Sequence, residues 1–271
     1  MNNNHDFTEG EILRPMLTFR GPVLLAMFLQ SLYGAVDLMV VGKFAEAADA
    51  SGVNTGSQVM MMLTFVVTSF SMAVTILMGQ HIGEKSPEKA GDVIGTGIIM
   101  FAVMAVAMTF AGVIFAPEIA AGLKAPRDAF NQTVSYIKVC SSGFVFIIAY
   151  NVMSGVFRGV GDSVMPLISV TIASVFNIIG DLFFVKGMGM GAKGAAIATV
   201  MAQVISVILS MFIISKRKMP FILTKDKLRI DKSIAKRIFS LGTPLLLQDI
   251  LVSISFLFLL AITNSRGVIV S

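Results

Sequence analysis

The chain has 271 residues, of which 55% are hydrophobic and 14% are charged, and its formal net charge is +5. A soluble domain of ordinary composition has about a quarter of its residues charged, so this composition excludes that class and indicates a polytopic membrane protein. The basic residues are concentrated in residues 216–237, between two apolar runs. This position predicts a cytoplasmic loop rather than a nucleic-acid-binding surface, and we expect no nucleic-acid partner.

Seven apolar runs are long enough to cross a bilayer as helices, which takes about 20 residues each. The predicted spans are residues 16–41, 53–79, 93–115, 134–157, 164–185, 194–214 and 238–263. Short glycine-bearing connections at 158–162 and 186–193 predict tight reversals. Residues 86–88, Ser-Pro-Glu, have the order of an N-cap, a first-turn proline and a first-turn acid, so a helix is predicted to begin before the third span.

The distribution of lysine and arginine predicts the orientation of these spans. The N-terminal segment and the second, fourth and sixth connections together carry twice as many lysines and arginines as the other side. Because cytoplasmic loops are enriched in these residues, the N-terminus is predicted to be cytoplasmic. The first apolar run has no small-residue cleavage pattern after it, so we expect no removable signal peptide.

Two aspartates, Asp37 and Asp181, lie inside predicted spans, where a carboxylate costs several kcal/mol and usually handles a cation, a proton or a charged substrate. Both lie a few residues from the outer end of their spans, and Asn177 is one helical turn deeper than Asp181 on the same face. Thr199 lies about five residues below the start of the sixth span, at the same level. These four side chains predict an oxygen-lined pocket suited to a proton or a hard cation such as Na⁺.

A structural interpretation competes with this pocket. An aspartate near a helix end can reach the headgroups, and Asn or Thr side chains can hold helices together by hydrogen bonds. The shared depth of side chains from three spans favours the pocket. An intramembrane enzyme is disfavoured, because His5 and His81 fall in polar segments and Cys140 has no titratable partner nearby in sequence. We therefore expect no catalytic residue, no resident metal and no cofactor.

A weak internal repeat predicts the domain organisation. Pro22 opens the first span and Pro244 opens the seventh in similar contexts, and aligning them pairs Ser31 with Ser253. The even number of intervening spans makes both helices run outward, as in parallel repeats. The predicted divisions are a cytoplasmic tail 1–15, a six-helix lobe 16–215, a basic inter-lobe loop 216–237 and the first helix of a second lobe 238–271. We expect the chain to lack most of that second lobe, and an endogenous product of 29.0 kDa would contradict this.

Three segments carry a resemblance to a known family. They are Pro22 with Gln30, Tyr33 and residues 37–42 on the first span, the turn 158–166, and residues 177–181 on the fifth span. These segments resemble the multidrug and toxic compound extrusion (MATE) family, and the resemblance covers essentially the whole chain. It implies an all-α fold of twelve helices in two six-helix lobes, of which this chain supplies the N-lobe and the first helix of the C-lobe.

The resemblance also implies a function. Members are secondary antiporters of the cytoplasmic membrane that export amphipathic, mostly cationic compounds in exchange for H⁺ or Na⁺. In bacterial members similar to this chain, the N-lobe cation site matches Asp37, Asn177, Asp181 and Thr199, with Asn151 as a further ligand from the fourth span. Asp249 on the seventh span is either a coupling residue of the second lobe or a paired structural group.

In the predicted mechanism a cation binds at the two aspartates. This binding either competes with drug binding or changes the packing of the first helix. Pro22 is a candidate hinge in that helix, because proline removes a backbone hydrogen bond; it can also be a plain residue of the first helical turns. Two alternatives are a flippase for a lipid-linked oligosaccharide and a non-transporting membrane component. Half a cavity needs a partner lobe, which homodimerisation could supply.

Overall fold

The structure is a computed structural model that describes residues 13–217 and 219–265, without the side chains of residues 14, 15 and 256–265. Residues 1–12 of the predicted cytoplasmic tail 1–15, which include His5, and the end of the predicted segment 238–271 lie outside these residues, whereas residues 13–15 begin the first helix. The described α-helices, in chain order, are α1 (Leu13–Phe44), α2 (Ala47–Gly83), α3 (Pro87–Ile114), α4 (Ala116–Gly122), α5 (Phe130–Ser142), α6 (Phe144–Gly159), α7 (Val164–Asp181), α8 (Gly191–Lys216) and α9 (Lys232–Ser265).

Three shorter helical segments complete the chain path. They are 3₁₀ turns at Arg127–Ala129 and Lys225–Lys227 and a π-helix at Leu182–Gly187, which continues α7. Six described helices are long and apolar enough to cross a membrane, and α5 with α6 makes a seventh if the pair is one span. The predicted polytopic all-α architecture is therefore confirmed. The helices exceed the predicted apolar runs at most ends, because polar residues can extend a helix beyond the hydrocarbon.

The predicted helix start before the third span is confirmed, although its cap is not. α3 begins at Pro87, directly after Ser86. The Ser86 hydroxyl donates to the carbonyl of Glu84 at 3.4 Å and not to the helix it precedes. The proline supplies the start because its fixed φ is already helical and its missing N–H would have no partner in the first turn.

The fourth predicted span, 134–157, corresponds to two helices that meet at a bend. α5 and α6 meet at Gly143 and differ in direction by 52°. A Cβ atom on residue 143 would overlap the side chain of Val200 on α8, so glycine is the residue that allows this close approach. Glycine also weakens a helix interior, and a bend of this size needs such a local cause. Apolar length alone cannot reveal it.

α2 lies at the centre of the bundle and contacts α3, α5, α6 and α9, while α7 packs between α1 and α8. Buried apolar side chains of α2, such as Val53, Val67 and Leu77, form the core together with those of α3, α5 and α6. We call the end of the bundle at which α1 ends and α8 begins the upper end, and the opposite end the lower end. At the upper end Lys186 lies 4.9 Å from the ring centroid of Phe44, which joins the α7–α8 turn to α1.

The start of α8 is capped by a residue from another helix. Met190 occupies the N-cap position and has no side-chain oxygen for the free N–H groups of the first turn. Asp49, in the first turn of α2, supplies the acceptor: its Oδ1 accepts a hydrogen bond from the Ala192 N–H at 2.8 Å. Gly191 has φ +53°, and a Cβ atom there would overlap the Asp49 carboxylate. The negative charge of the carboxylate also interacts favourably with the positive end of the helix dipole.

We expect Asp49→Ala to lower the free energy of unfolding by about 1–2 kcal/mol, the usual loss for a removed cap. Asp49→Asn keeps an acceptor oxygen and should lose less. Thermal unfolding in detergent, followed by the monodisperse fraction that survives heating, measures the difference. Asp128→Ala is the matched control, since Asp128 is an exposed acid near the same end. Equal losses for Asp49→Ala and Asp128→Ala would refute the capping role.

The segment 219–231, which we call the strap, binds along α3 at the lower end. The Ile222 N–H donates to the Pro87 carbonyl at 3.2 Å, and Lys227 Nζ lies 3.1 Å from Asp92 Oδ1. Thr96 Oγ1 donates to the Arg229 carbonyl at 3.2 Å. The basic loop predicted from sequence is therefore a docked segment with its own contacts.

Two glycines of α3 make this docking possible. A Cβ atom on Gly91 would overlap the carbonyl oxygen of Ile222, and one on Gly95 would overlap that of Lys227. The strap ends at Asp231, whose Oδ1 accepts the N–H groups of Ser233 and Ile234 and thereby caps α9. The strap thus links α3 to the start of α9.

Candidate cation-binding site

The candidate site lies inside the upper half of the bundle, where α1 packs against α7. Asp37 of α1 is 6% exposed, and Asp181, the last residue of α7, is 0% exposed. Their carboxyl groups lie within hydrogen-bonding range of each other. Sequence spacing placed the two aspartates at one depth, and the structure brings them together.

The oxygen atoms of this pair have few partners. Asp37 Oδ1 and both carboxyl oxygens of Asp181 are buried and have no hydrogen-bond donor among the described residues. An ionised carboxylate has acceptor oxygens and no proton to donate. Two ionised carboxylates therefore cannot form a hydrogen bond with each other, and burying them without a partner is costly in free energy. A proton or another small cation between them removes that cost.

Asn177 and Thr199 complete the oxygen set. Asn177 is 1% exposed, and its Nδ2 donates to Thr199 Oγ1 at 3.5 Å. Its Oδ1 is buried without a partner among the described residues. The predicted quartet is thus assembled from α1, α7 and α8. Carboxylate, amide and hydroxyl oxygens are the ligands that hard cations prefer.

The local backbone around Asp181 explains how α7 and α8 approach each other here. A Cβ atom on Gly180 would lie within 3 Å of Ala198 Cβ, so glycine permits the close packing that places Asn177 beside Thr199. Directly after Asp181 the helix widens into the π-helix Leu182–Gly187. Single π-helical turns are frequent at functional sites because they redirect side chains within a helix.

The described residues contain no group of three or more His, Cys, Asp or Glu side chains that could hold a metal ion. A transition-metal centre made from such residues is thus not found in this part of the chain. The candidate site has two carboxylates and neutral amide and hydroxyl oxygens, which can bind a hard cation, and its carboxylates can also bind a proton.

Several neighbours of Asp37 were missed as site residues by the sequence interpretation. Tyr33, one turn earlier on α1, and Tyr136 and Cys140 on α5 are electrostatic neighbours of its carboxyl group. Helical spacing of four residues from Asp37 could have identified Tyr33. The statement that Cys140 has no titratable partner nearby is wrong, because Tyr136, one turn earlier, is within hydrogen-bonding range of its thiol.

A narrow crevice runs from the site towards the lower end, between α1, α6, α7 and α8. The volume within it that the centre of a water molecule can occupy is about 10 Å³. This volume is close to the minimum for holding one water molecule. Its polar lining residues are Gln30, Tyr33, Tyr150, Ser174, Asn177, Thr199, Gln203 and Ser206. Gln203 and Ser206 lie one and two turns beyond Thr199 on the same face of α8, a helical spacing that sequence could have revealed.

The other predicted site residues lie elsewhere. Asn151 is buried in α6, where its Nδ2 donates to the Ile147 carbonyl at 2.8 Å and its own carbonyl accepts from the Ser71 hydroxyl. The side-chain bond stays within α6 and the bond to the backbone carbonyl comes from α2, so neither leads to the aspartate pair. Asp249 lies on α9, and its Oδ2 accepts from the Ser69 hydroxyl of α2 at 3.1 Å. That pairing agrees with the structural alternative for Asp249.

Pro22, the candidate hinge, lies well inside α1 and not in its first turn. The proline and Asp37 are fifteen residues apart on one continuous helix, roughly 22 Å at 1.5 Å per residue. Pro22 is the tenth residue of α1, and its two interpretations, a hinge and a plain residue of the first helical turns, stay predictions.

Comparison with known proteins identifies the family. A family model described as MatE matches residues 22–183, more than half of the chain. The chain belongs to the MatE family. It is 26% identical over 266 residues to the probable multidrug resistance protein YpnP and 27% identical over 271 residues to the probable multidrug resistance protein YoeA, both of Bacillus subtilis. These matches cover 97% and 96% of this chain and 59% and 58% of the relatives, so the chain spans less than two thirds of their length.

Solved structures show the same MatE fold. A crystal structure of MATE in the bent conformation matches with a TM-score of 0.89 at 22% identity, covering 98% of this chain and 60% of that one. A MOP superfamily transporter from Pyrococcus furiosus matches with a TM-score of 0.86 at 22% identity, covering 97% and 58%. The predicted MATE-type helical fold is confirmed by these likenesses.

Proposed function

We propose that this chain forms the cation-coupling lobe of a secondary antiporter that exports amphipathic, cationic compounds in exchange for H⁺ or Na⁺. The observation that carries the proposal is the buried pair of Asp37 and Asp181, in which Asp37 Oδ1 and both carboxyl oxygens of Asp181 have no donor among the described residues. The two Bacillus subtilis relatives are named as probable multidrug resistance proteins, which supports the cargo class. These names also favour a transporter over an enzyme.

In the proposed cycle the cation binds between the two carboxyl groups from the outer side. Asp37 belongs to α1 and Asp181 to α7, so a bound cation draws these helices together and its loss lets them separate. Because α1 is one continuous helix, a change at Asp37 reaches its other half, where Pro22 gives a place to bend. In this cycle α1 moves as cargo enters and leaves the cavity that this lobe shares with a second lobe.

The proposed orientation puts the upper end of the bundle outside the cytoplasmic membrane of a bacterium and the N-terminus inside. The strap then lies at the cytoplasmic surface, with its exposed lysines and arginines in contact with the headgroups of the inner leaflet. This placement follows the positive-inside rule. It sets the direction of exchange: the cation enters as cargo leaves.

Counterflow in proteoliposomes tests the proposal. The protein, as its cells produce it, is reconstituted with a fluorescent lipophilic cation, and Na⁺ and pH gradients are imposed separately. We expect one of the two gradients to drive uptake of the dye into inverted vesicles, and the effective gradient identifies the coupling ion. Dye movement that ignores both gradients would contradict coupled antiport.

A further inference from the structure

The facing sides of α7 and α8 carry polar side chains well beyond the cation site. The two helices are antiparallel, and two contacts fix their register: Asn177 with Thr199 near the upper end, and Ser169 with Ser210 near the lower end, where the hydroxyl oxygens are 3.4 Å apart. Between these contacts lie Ser174, Gln203 and Ser206, so each turn of the interface contains a polar group. We call the interface from Asn177 to Ser210 the seam.

The seam is long enough to connect the site with the lower surface. Thr199 and Ser210 are eleven residues apart on α8, about 16 Å at 1.5 Å per residue, which is about half of the 30 Å hydrocarbon core. Below Ser210, Arg217 at the end of α8 pairs with Asp162 at 2.6 Å. A polar line therefore runs from the carboxyl pair to an exposed ion pair at the lower end.

Interhelical hydrogen bonds do not account for the whole seam. Ser174 is satisfied by its own helix, since its hydroxyl donates to the Val170 carbonyl at 2.7 Å. Ser206 is 1% exposed, yet its hydroxyl has no partner among the described residues, and neither has Gln203 Oε1 or Asn177 Oδ1. Each such buried group destabilises the fold unless something bonds to it.

Water is the partner that fits these groups. The crevice that Ser174, Asn177, Gln203 and Ser206 line has space for a water molecule. A water there both donates and accepts, so it can satisfy an amide oxygen and a hydroxyl at once. An apolar ligand would leave the same oxygens without a donor.

We propose that the seam, which has space for one water molecule in this structure, takes up a file of water molecules when α7 and α8 separate, and that this file carries the coupling proton from Asp181 to the cytoplasm. The inference rests on the proposed antiport and commits its coupling ion to H⁺. In each transfer the carboxyl group gives its proton to the first water, each water passes one proton on, and one proton enters the cytoplasm. The Ser169 and Ser210 hydroxyls close the lower end, so proton exit requires α7 and α8 to separate there.

Thiol accessibility tests whether the seam is wet. Ag⁺, which is close to a water molecule in size, binds the thiolate, which forms only where water reaches the thiol. In a Cys140→Ser background, we compare Ser206→Cys with Ile208→Cys, which is on the same helix at similar depth but is 61% exposed on the outside of the bundle. In membrane vesicles Ser206→Cys should react at least about tenfold faster. Gln203→Cys is a second seam position in case the first variant does not fold.

The proton step has its own readout. Ser206→Val places methyl groups in the seam and removes one hydrogen-bonding group from the path of the waters. Proton movement into vesicles should therefore slow by about tenfold. A pH dye trapped in the vesicles measures this rate. Ser206→Thr, which keeps the hydroxyl, should restore the rate. A Ser206→Val rate equal to that of the unsubstituted protein would overturn the proton route.

Failure of this inference is distinguishable from failure of the proposed function. Accessibility requires no transport, so it can be measured in an Asp181→Asn background. If Ser206→Cys and Gln203→Cys react as slowly as Ile208→Cys while export still depends on Asp181, the seam is dry and the water file is refuted. If the seam thiols react but export does not need Asp181, the antiport proposal fails instead, and the proton route fails with it.

Discussion

Replacing Asp181 with Asn is expected to abolish cation-driven export. The amide has nearly the same shape as the carboxyl group, so the packing of α7 against α1 and α8 is preserved, but the site loses one of its two negative charges. Removing one member of a buried charge pair costs about 2–5 kcal/mol, which corresponds to a loss of cation affinity on the order of 100-fold. Gradient-driven dye export in proteoliposomes measures the effect, and Asp37→Asn should behave alike.

Two matched variants make this result interpretable. Asp249→Asn changes another carboxylate within a predicted span, but its amide can still bond to the Ser69 hydroxyl. Asp128→Asn changes an exposed acid. Both should keep export close to that of the unsubstituted protein. If Asp181→Asn responds to the ion gradient as well as these controls do, the carboxyl pair is not the coupling site; if Asp249→Asn also loses export, Asp249 has a coupling role after all.

Gly95→Ala should release the strap from α3. The added methyl group overlaps the backbone carbonyl of Lys227, and a backbone atom cannot move aside as a flexible side chain can. Overpacking of this kind costs about 1–3 kcal/mol, so the released state should be populated roughly ten- to a hundredfold more. Limited trypsin digestion at Lys225, Lys227 and Arg229 reports this, since proteolysis follows the population of the open state.

The control for this experiment is Gly122→Ala, at a helical glycine where a Cβ atom meets nothing within 4 Å. Its strap should be cut at the rate of the unsubstituted protein. Gly91→Ala should act like Gly95→Ala, because it meets the carbonyl of Ile222 in the same way. Unchanged cleavage in both α3 variants would show that the strap is not held by this close packing.

The candidate site was largely predictable from sequence, for a definite reason. A carboxylate inside an apolar run is costly and therefore conspicuous, and a helix converts residue number into depth. Asp37, Asn177, Asp181 and Thr199 could be placed at one level before any coordinates were known. Depth does not give the direction of a side chain, so the sequence could not show that the Asn151 amide bonds within its own helix and not to the aspartate pair.

The features that sequence missed depend on contacts between distant segments. Asp49 caps α8 by accepting from the N–H of Ala192, 143 residues later in the chain. Gly91 and Gly95 would by themselves indicate a weakened helix, and only the strap passing over them explains their presence. The bend at Gly143 arises where Val200 of α8 packs closely against α5 and α6. Each of these features is a close tertiary contact, and the local sequence pattern does not indicate which distant residue makes it.

Cation release on cargo binding tests the central claim most directly, namely that the carboxyl pair holds one cation that cargo displaces. The purified protein is equilibrated with ²²Na⁺ in one series and in weakly buffered solution with a pH indicator in another, and a lipophilic cation is then added. We predict that one cation, Na⁺ or H⁺, is released per cargo bound, and that Asp181→Asn binds cargo without release. Cargo binding that releases neither ion, or release that persists in Asp181→Asn, would contradict the account.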